Sequence, residues 1–121
     1  MNMPALNFHS RFAAAVAQGE KRQDVRLIRG RRPIVVGDTL RLYVGQRPER
    51  RRLLREAECL GVVPIVLDMV KCEMPLGDGE VMPYFALRNF ARNDGFASID
   101  DFFEWFRKWY GDRFEGVLIQ W

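Results

Sequence analysis

The stretch that decides the reading is Gly19–Arg32, "GEKRQDVRLIRGRR", in which eight of fourteen residues are charged and six of those are basic. Lys21 to Arg29 alternates as a strand does. Asp24 and Arg26 fall on one side, Val25 and Leu27 on the other, because strand side chains repeat every second residue. Strands of small domains are ordinarily built from Val, Ile, Thr and aromatics. At an open surface an acid and a base side by side only neutralise each other in water. Here the opposite side is apolar and belongs to a core. The charged side is therefore expected to line a wet hollow, with Arg26 donors aimed at an anion or a base edge and Lys21 arriving at the start of the strand.

The same segment dominates the charge distribution. The 121-residue chain carries a net charge of +3, but residues 21–55 hold twelve Lys and Arg against Asp24, Asp38 and Glu49, a net of +9. The remainder sums to −6. A basic block facing an acidic remainder points to a polyanion, and eleven of the twelve cations are Arg, whose planar fork suits phosphate contact and base stacking. A solvated face that only confers solubility is the plainer alternative, and charge alone leaves both open.

Outward from the strand, "SRFAAAVAQG" (Ser10–Gly19) predicts a short helix capped by Ser10, stopped by Gly19, and packing Phe12 and Val16 inward. "GDTLRLYVG" (Gly37–Gly45) predicts a second strand, with Leu40, Leu42 and Val44 on one face and Thr39, Arg41 and Tyr43 on the other. "RPERRRLLRE" (Arg47–Glu56) is too charged for a core and reads as a helical turn or an exposed excursion. "ECLGVVPIVLDMVKCEM" (Glu58–Met74) is strand-like but broken by Gly61 and Pro64, so a bulge or two shorter strands are expected. "PLGDGEVMP" is a turn and its flank. "SIDDFFEWFRKWYG" (Ser98–Gly111) predicts a helix capped by Ser98 and stopped by Gly111, with Ile99, Phe102, Phe103, Phe106 and Trp109 or Tyr110 as its core stripe. "FEGVLIQW" closes as a largely buried strand.

With 48% hydrophobic residues over this length, one domain spanning 1–121 can close a core, and the element order suits an α+β fold or small barrel with helices at its mouth. Cys59, Cys72 and a lone His9 make neither a disulfide framework nor a four-ligand zinc site, and both cysteines read as reduced and packed. No metal or other cofactor is implied. The acid clusters at Asp78–Glu80 and Ile99–Asp101 are explained by turn chemistry and helix capping. There is no phosphate-cradling glycine loop, and His9 reads as a neighbour of the first helix rather than a general base. "MNMPALNFHSRF" lacks a signal-peptide pattern and no stretch has the length of a membrane span, so a cytoplasmic protein with no membrane partner is expected. Nothing specifies an oligomeric state.

"GEKRQDVR" with Gly19, Lys21 and Arg26, followed by "GDTLRLYVGQR", resembles the ASCH family, whose pattern is Gly-x-Lys-x-x-Thr-x-Arg and then a Gly-Asp that starts a strand. "NDGFASIDDFFEWFRKWYG" is similar to that family's ending, and the likeness runs from about Phe8 to Trp121. "LYVGQRPERRRLL" is similar to the bacteriophage and prophage variant. The resemblance implies a PUA-like small mixed β-barrel with flanking helices and a cleft that binds RNA or a modified nucleoside. One branch of the family hydrolyses N4-acetylcytidine, its motif lysine activating the motif threonine while an acid from the Asp-Gly-Phe region donates a proton. Carried over, the lysine is Lys21 and the donor Asp94; the threonine is replaced here by Asp24.

Two functions follow as expectations. The first is an RNA- or nucleotide-binding domain whose cationic cleft uses Lys21, Asp24, Arg26, Arg41 and Arg47, with the arginine-rich 47–55 segment tracking phosphates. The second is a hydrolase, an amidohydrolase or ribonuclease, with Lys21, Asp24 and Asp94 as catalytic residues. A carboxylate at position 24 would serve as general base for a water rather than as nucleophile. An interaction protein with neither activity is a third possibility.

Overall fold

The computed structural model describes residues 3–27, 32–45 and 47–121, and residues 28–31 at the far end of the expected strand lie outside them. β1 (Ala5–Phe8) leads through a 3₁₀ turn (Ser10–Phe12) into α1 (Ala13–Ala17) and β2 (Gln23–Arg26). Then come β3 (Thr39–Val44), β4 (Arg52–Glu58), β5 (Gly61–Asp68) and a small hairpin of β6 (Pro75–Gly77) and β7 (Glu80–Val81). α2 (Tyr84–Asn93), α3 (Ile99–Tyr110) and β8 (Arg113–Gln120) complete a mixed α+β chain.

The first sheet runs β1-β3-β4, with β1 parallel to β3 (Ala5 opposite Arg41, Phe8 opposite Val44) and β4 antiparallel to it. The second runs β2-β8-β5, with β8 central and antiparallel to both neighbours. The chain turns from one sheet to the other within two residues: the Cys59 amide donates to the Asp38 carbonyl and the Leu60 amide to the Gln120 carbonyl. Asp38 secures this corner from inside. Its carboxylate accepts the Val35 amide at 3.0 Å, and that bond, with help from Arg32, overcomes burial and holds its pKa below the usual value.

Among the described residues the sheets are open, so the strands do not form the closed barrel expected above. β1 and β2 are edge strands, and a side chain links them in place of a ladder: the Arg26 Nη2 donates to the Asn7 carbonyl at 2.7 Å. A seam is thereby left between the two sheets.

Sequence and structure differ elsewhere for identifiable reasons. β5 is one continuous strand through Pro64, tolerated because β5 is an edge strand and the missing N–H removes no partner from β8. β4 is a strand despite its arginines, since one edge of it pairs with β3 and most of its charged side chains remain in water. The first helix is shorter than expected, and His9 rather than Ser10 caps its opening turn, accepting the Arg11 amide on Nδ1. β1 and α2 have no counterpart in the sequence reading. Cys59 is buried as expected, but Cys72 is exposed.

The core is aromatic where the helices meet. Phe96 and Phe102 stand edge-to-face at 5.2 Å, and Phe106 meets Phe114 at 5.3 Å. Of the expected α3 stripe, Phe102, Phe103 and Phe106 are buried, whereas Trp109 is exposed and Tyr110 lies at the margin against Phe114. Ser98 and Gly111 cap α3 as read, the Ser98 Oγ accepting the Asp101 amide. At Gly116 a Cβ would lie 2.4 Å from the Arg26 carbonyl, so only glycine lets β8 approach β2 there.

Candidate functional site

The seam between β1 and β2 opens into a hollow of about 200 Å³. Its strand walls are Asn7, Phe8, Asp24 and Arg26; its helix walls are His9, Phe12, Trp105 and Tyr110; Asp94 and Phe96 line it as well. Of the sequence-predicted residues, Asp24, Arg26 and Asp94 line it, and Lys21, outside the lining, joins them in one ion cluster.

Local structure puts each in place. The turn after α1 returns the Glu20 and Lys21 amides to the Ala15 carbonyl and aims the lysine stem under the sheet. There its side chain is 1% exposed. Asp94 is the last residue before a Schellman turn: the Phe96 amide reaches back to the Ala91 carbonyl and the Gly95 amide to that of Arg92. Gly95 sits at φ +97°, and a Cβ there would meet the Phe12 ring at 2.9 Å and the Lys21 Cδ at 3.2 Å. Glycine is needed both for the turn and for the approach of Lys21.

The Lys21 ammonium donates to the Asp94 carbonyl and lies 3.4 Å from Asp94 Oδ1 and 3.3 Å from Asp24 Oδ1. Those three oxygens match the three donors of an ammonium. Its open side faces the Phe12 ring, 4.9 Å from the centroid. Asp24 Oδ2 accepts the Arg26 Nε at 2.6 Å, and the Arg26 guanidinium lies 5.0 Å from the Phe8 centroid. Gln23, which the sequence reading passes over, donates from Nε2 to Asp94 Oδ1 at 3.3 Å. Burial raises the Asp94 pKa to about 7; Lys21 pulls it down and Asp24 pushes it up again.

Two cations thus face two carboxylic groups, and the hollow is charge-compensated rather than cationic. Lys21 is committed to the aspartates. For Arg26 the described residues supply partners at Nε and Nη2 and none at Nη1, leaving donors for a ligand. Arg41 and Arg47 lie outside the lining. Arg41 pairs with Glu56 across the β3–β4 hairpin at 3.1 Å, and Arg47 is an exposed residue before the Pro48–Arg50 turn.

The sequence reading misses part of the aromatic wall. His9 and Trp105 meet edge-to-face at 5.3 Å above the hollow, and Phe12 packs on Phe96 at the same separation. Trp105 is one position off the buried Phe102/Phe106 stripe of α3, which marks it in the sequence as a margin residue. Asp100 and Asp101 occupy the first turn of α3, where Asp101 pairs with Arg11 at 2.8 Å, and Asp78 sits in the β6–β7 turn at φ +54°. Among the described residues no group of three His, Cys, Asp or Glu is placed to hold a metal ion, and no helix is long and apolar enough to cross a membrane.

The fold and site define a mixed α+β domain with a charge-compensated, aromatic-walled hollow at an open seam between sheets. No family model, curated protein or solved structure matches the chain.

Proposed function

We propose that this chain is an ASCH-like, PUA-like module that binds RNA or a modified nucleoside, with a base in the seam hollow and phosphates on the arginine-rich 47–55 hairpin. The observation that carries the reading is the hollow itself: aromatic walls beside an ion cluster in which both cations already face carboxyl groups. A phosphate finds little there, because both cations already face carboxylic groups. A planar neutral ring fits better, stacking on the aromatic side chains while Asp24 and Arg26 Nη1 meet its polar edge. Outside, Arg47, Arg50, Arg51 and Arg52 are exposed and attract the backbone by counterion release. The PUA-like reading is supported by two sheets joined at the Asp38–Cys59 corner, with their cleft at the seam.

One observation favours the hydrolase as a second reading. A carboxyl with a pKa near 7 can carry a proton to a leaving group at neutral pH, and Asp94 is such a group at the hollow. Asp24 would then activate water. Lys21, bonded to the Asp94 carbonyl and paired with both carboxyl groups, would hold both acids in place rather than take a proton.

Binding is tested by titrating labelled single-stranded RNA at increasing salt. Affinity is expected to fall steeply, and undetectable binding at low salt would end the RNA reading. Hydrolysis is tested by incubating wild type and Asp94→Asn with N4-acetylcytidine and with labelled RNA. Turnover by wild type that Asp94→Asn abolishes would favour the enzyme; no turnover would leave the binding module.

A further inference from the structure

We infer that the outer face of α2 is a track for single-stranded nucleic acid, taking bases on Tyr84 and Phe85 and phosphates on Arg88 and Arg92. This rests on the RNA-binding reading above and names a surface that reading did not use. α2 buries Leu87 and Ala91 and packs Phe90 edge-to-face on Phe102 at 5.7 Å, which leaves the opposite face in solvent. At the start of that face Tyr84 and Phe85 are 74% and 72% exposed, the two largest exposures among the large apolar and aromatic side chains of the described residues. Neighbouring large aromatics this open to water mark a surface for a partner.

The charges on the face choose among partners. The helix sequence Tyr84–Asn93 contains Arg88 and Arg92 and no acid, and among the described residues neither arginine has an ion-pair or hydrogen-bond partner. Several other exposed arginines are matched: Arg41 with Glu56, Arg107 with Asp112, Arg113 with Glu115. Two guanidinium groups free of acids on one face attract an anion, and the aromatics beside them offer flat faces for stacking. A single nucleic-acid strand has both, whereas a duplex keeps its base faces stacked and closed.

Spacing agrees. Tyr84, Arg88 and Arg92 succeed one another at four-residue steps and so lie along one line of the helix. The two arginines are about 6 Å apart along the axis. That is close to two phosphate steps of a stacked strand at about 3.4 Å each. The helix ends at Asn93, and its C-cap Asp94 is a lining residue of the proposed base site.

The test compares binding of a fluorescein-labelled, mixed-sequence RNA dodecamer, single-stranded and as a duplex, by wild type, Tyr84→Ala/Phe85→Ala, Arg88→Ala/Arg92→Ala and Tyr84→Trp. All four positions are exposed, and unchanged thermal midpoints verify that the variants fold. Wild type is expected to prefer the single strand. The aromatic double variant should weaken it roughly tenfold or more, and Tyr84→Trp should retain binding. The arginine double variant should lower the slope of log affinity against log salt by about 1.4, since each phosphate neutralised on a single strand accounts for about 0.7. Wild-type binding that none of these variants changes would overturn the α2 track and leave the hollow and hairpin reading standing. Absence of wild-type binding at low salt would overturn both. A wild-type dimer in sedimentation that Tyr84→Ala/Phe85→Ala converts to monomer, with RNA affinity unchanged, would reassign the face to self-association and also overturn the track.

Discussion

The ion cluster at Lys21 and the arginine hairpin at residues 47–55 come from the same basic third of the sequence, yet the fold treats them in opposite ways. At the seam, Lys21 is withdrawn from water and surrounded by two aspartates, a backbone carbonyl and a ring. On the hairpin, Arg50, Arg51 and Arg52 stay exposed, and Arg51 lies against the Tyr43 ring at 4.3 Å. A buried cation depends on its partners, because removing any one leaves an uncompensated charge away from water; an exposed arginine is solvated whether or not it is paired. Every charge at the seam therefore has structural consequences, while those of the hairpin are free to be used on a partner.

The severest challenge to that contrast is Lys21→Met. Loss of the cation strands Asp24 and Asp94 together, and unfolding in urea should show a loss of about 3–5 kcal/mol. A loss below about 1 kcal/mol would mean that the cluster is not integral to the fold. Gly95→Ala comes next, at about 1–3 kcal/mol, from a left-handed backbone position and crowding of Phe12 and Lys21. A variant as stable as wild type would show that the Asp94 turn has room to relax.

The pH dependence probes the seam in a second way. Asp94 has a folded pKa raised to about 7 from an ordinary value near 3.8, so between those values the folded chain keeps a proton that the unfolded chain has lost. Its contribution therefore favours folding at low pH, declines as pH rises toward about 7, and levels off above. Denaturation at about pH 5.5 and about pH 8.5 should show wild type losing more stability on going alkaline than Asp94→Asn does. Equal losses would place the Asp94 pKa at its ordinary value.

The smallest effects are expected on the hairpin. Arg50→Ala, Arg51→Ala and Arg52→Ala should each change stability by no more than about 0.5 kcal/mol. Each should nonetheless reduce the salt slope of RNA binding by about 0.7 if it meets a phosphate. Destabilisation comparable to that of Lys21→Met would erase the distinction between the regions.

Much of the fold is legible where local chemistry and pattern agree. The β3 alternation, the Ser98 and Gly111 caps of α3 and the pairing of Asp24 with Arg26 on one side of β2 all follow from period and capping. α2 is legible in principle, from Leu87, Phe90 and Ala91 at helical spacing ahead of the Gly95 stop, but "NDGF" reads as a turn without announcing the helix that it ends. Pro64 misleads because its meaning depends on whether the strand is central or at an edge. Lys21 and Asp94, 73 positions apart, are brought together in the sequence only by the resemblance to the ASCH motifs, since no local pattern links them.

Near-neighbour properties settle that some segments, β3 and α3 among them, are extended or helical, where several of them stop, and that a net +9 is concentrated in residues 21–55. Side-chain period, caps and charge count need nothing beyond the order of the residues. The folded arrangement alone establishes that β1 and β2 leave a seam, that Lys21 is enclosed there with Asp24 and Asp94, and that Arg41 and Arg47 stand apart from it. Burial and ion pairing are set by groups distant in the chain, so which charges are neutralised and which remain available emerges only once those groups have been packed together.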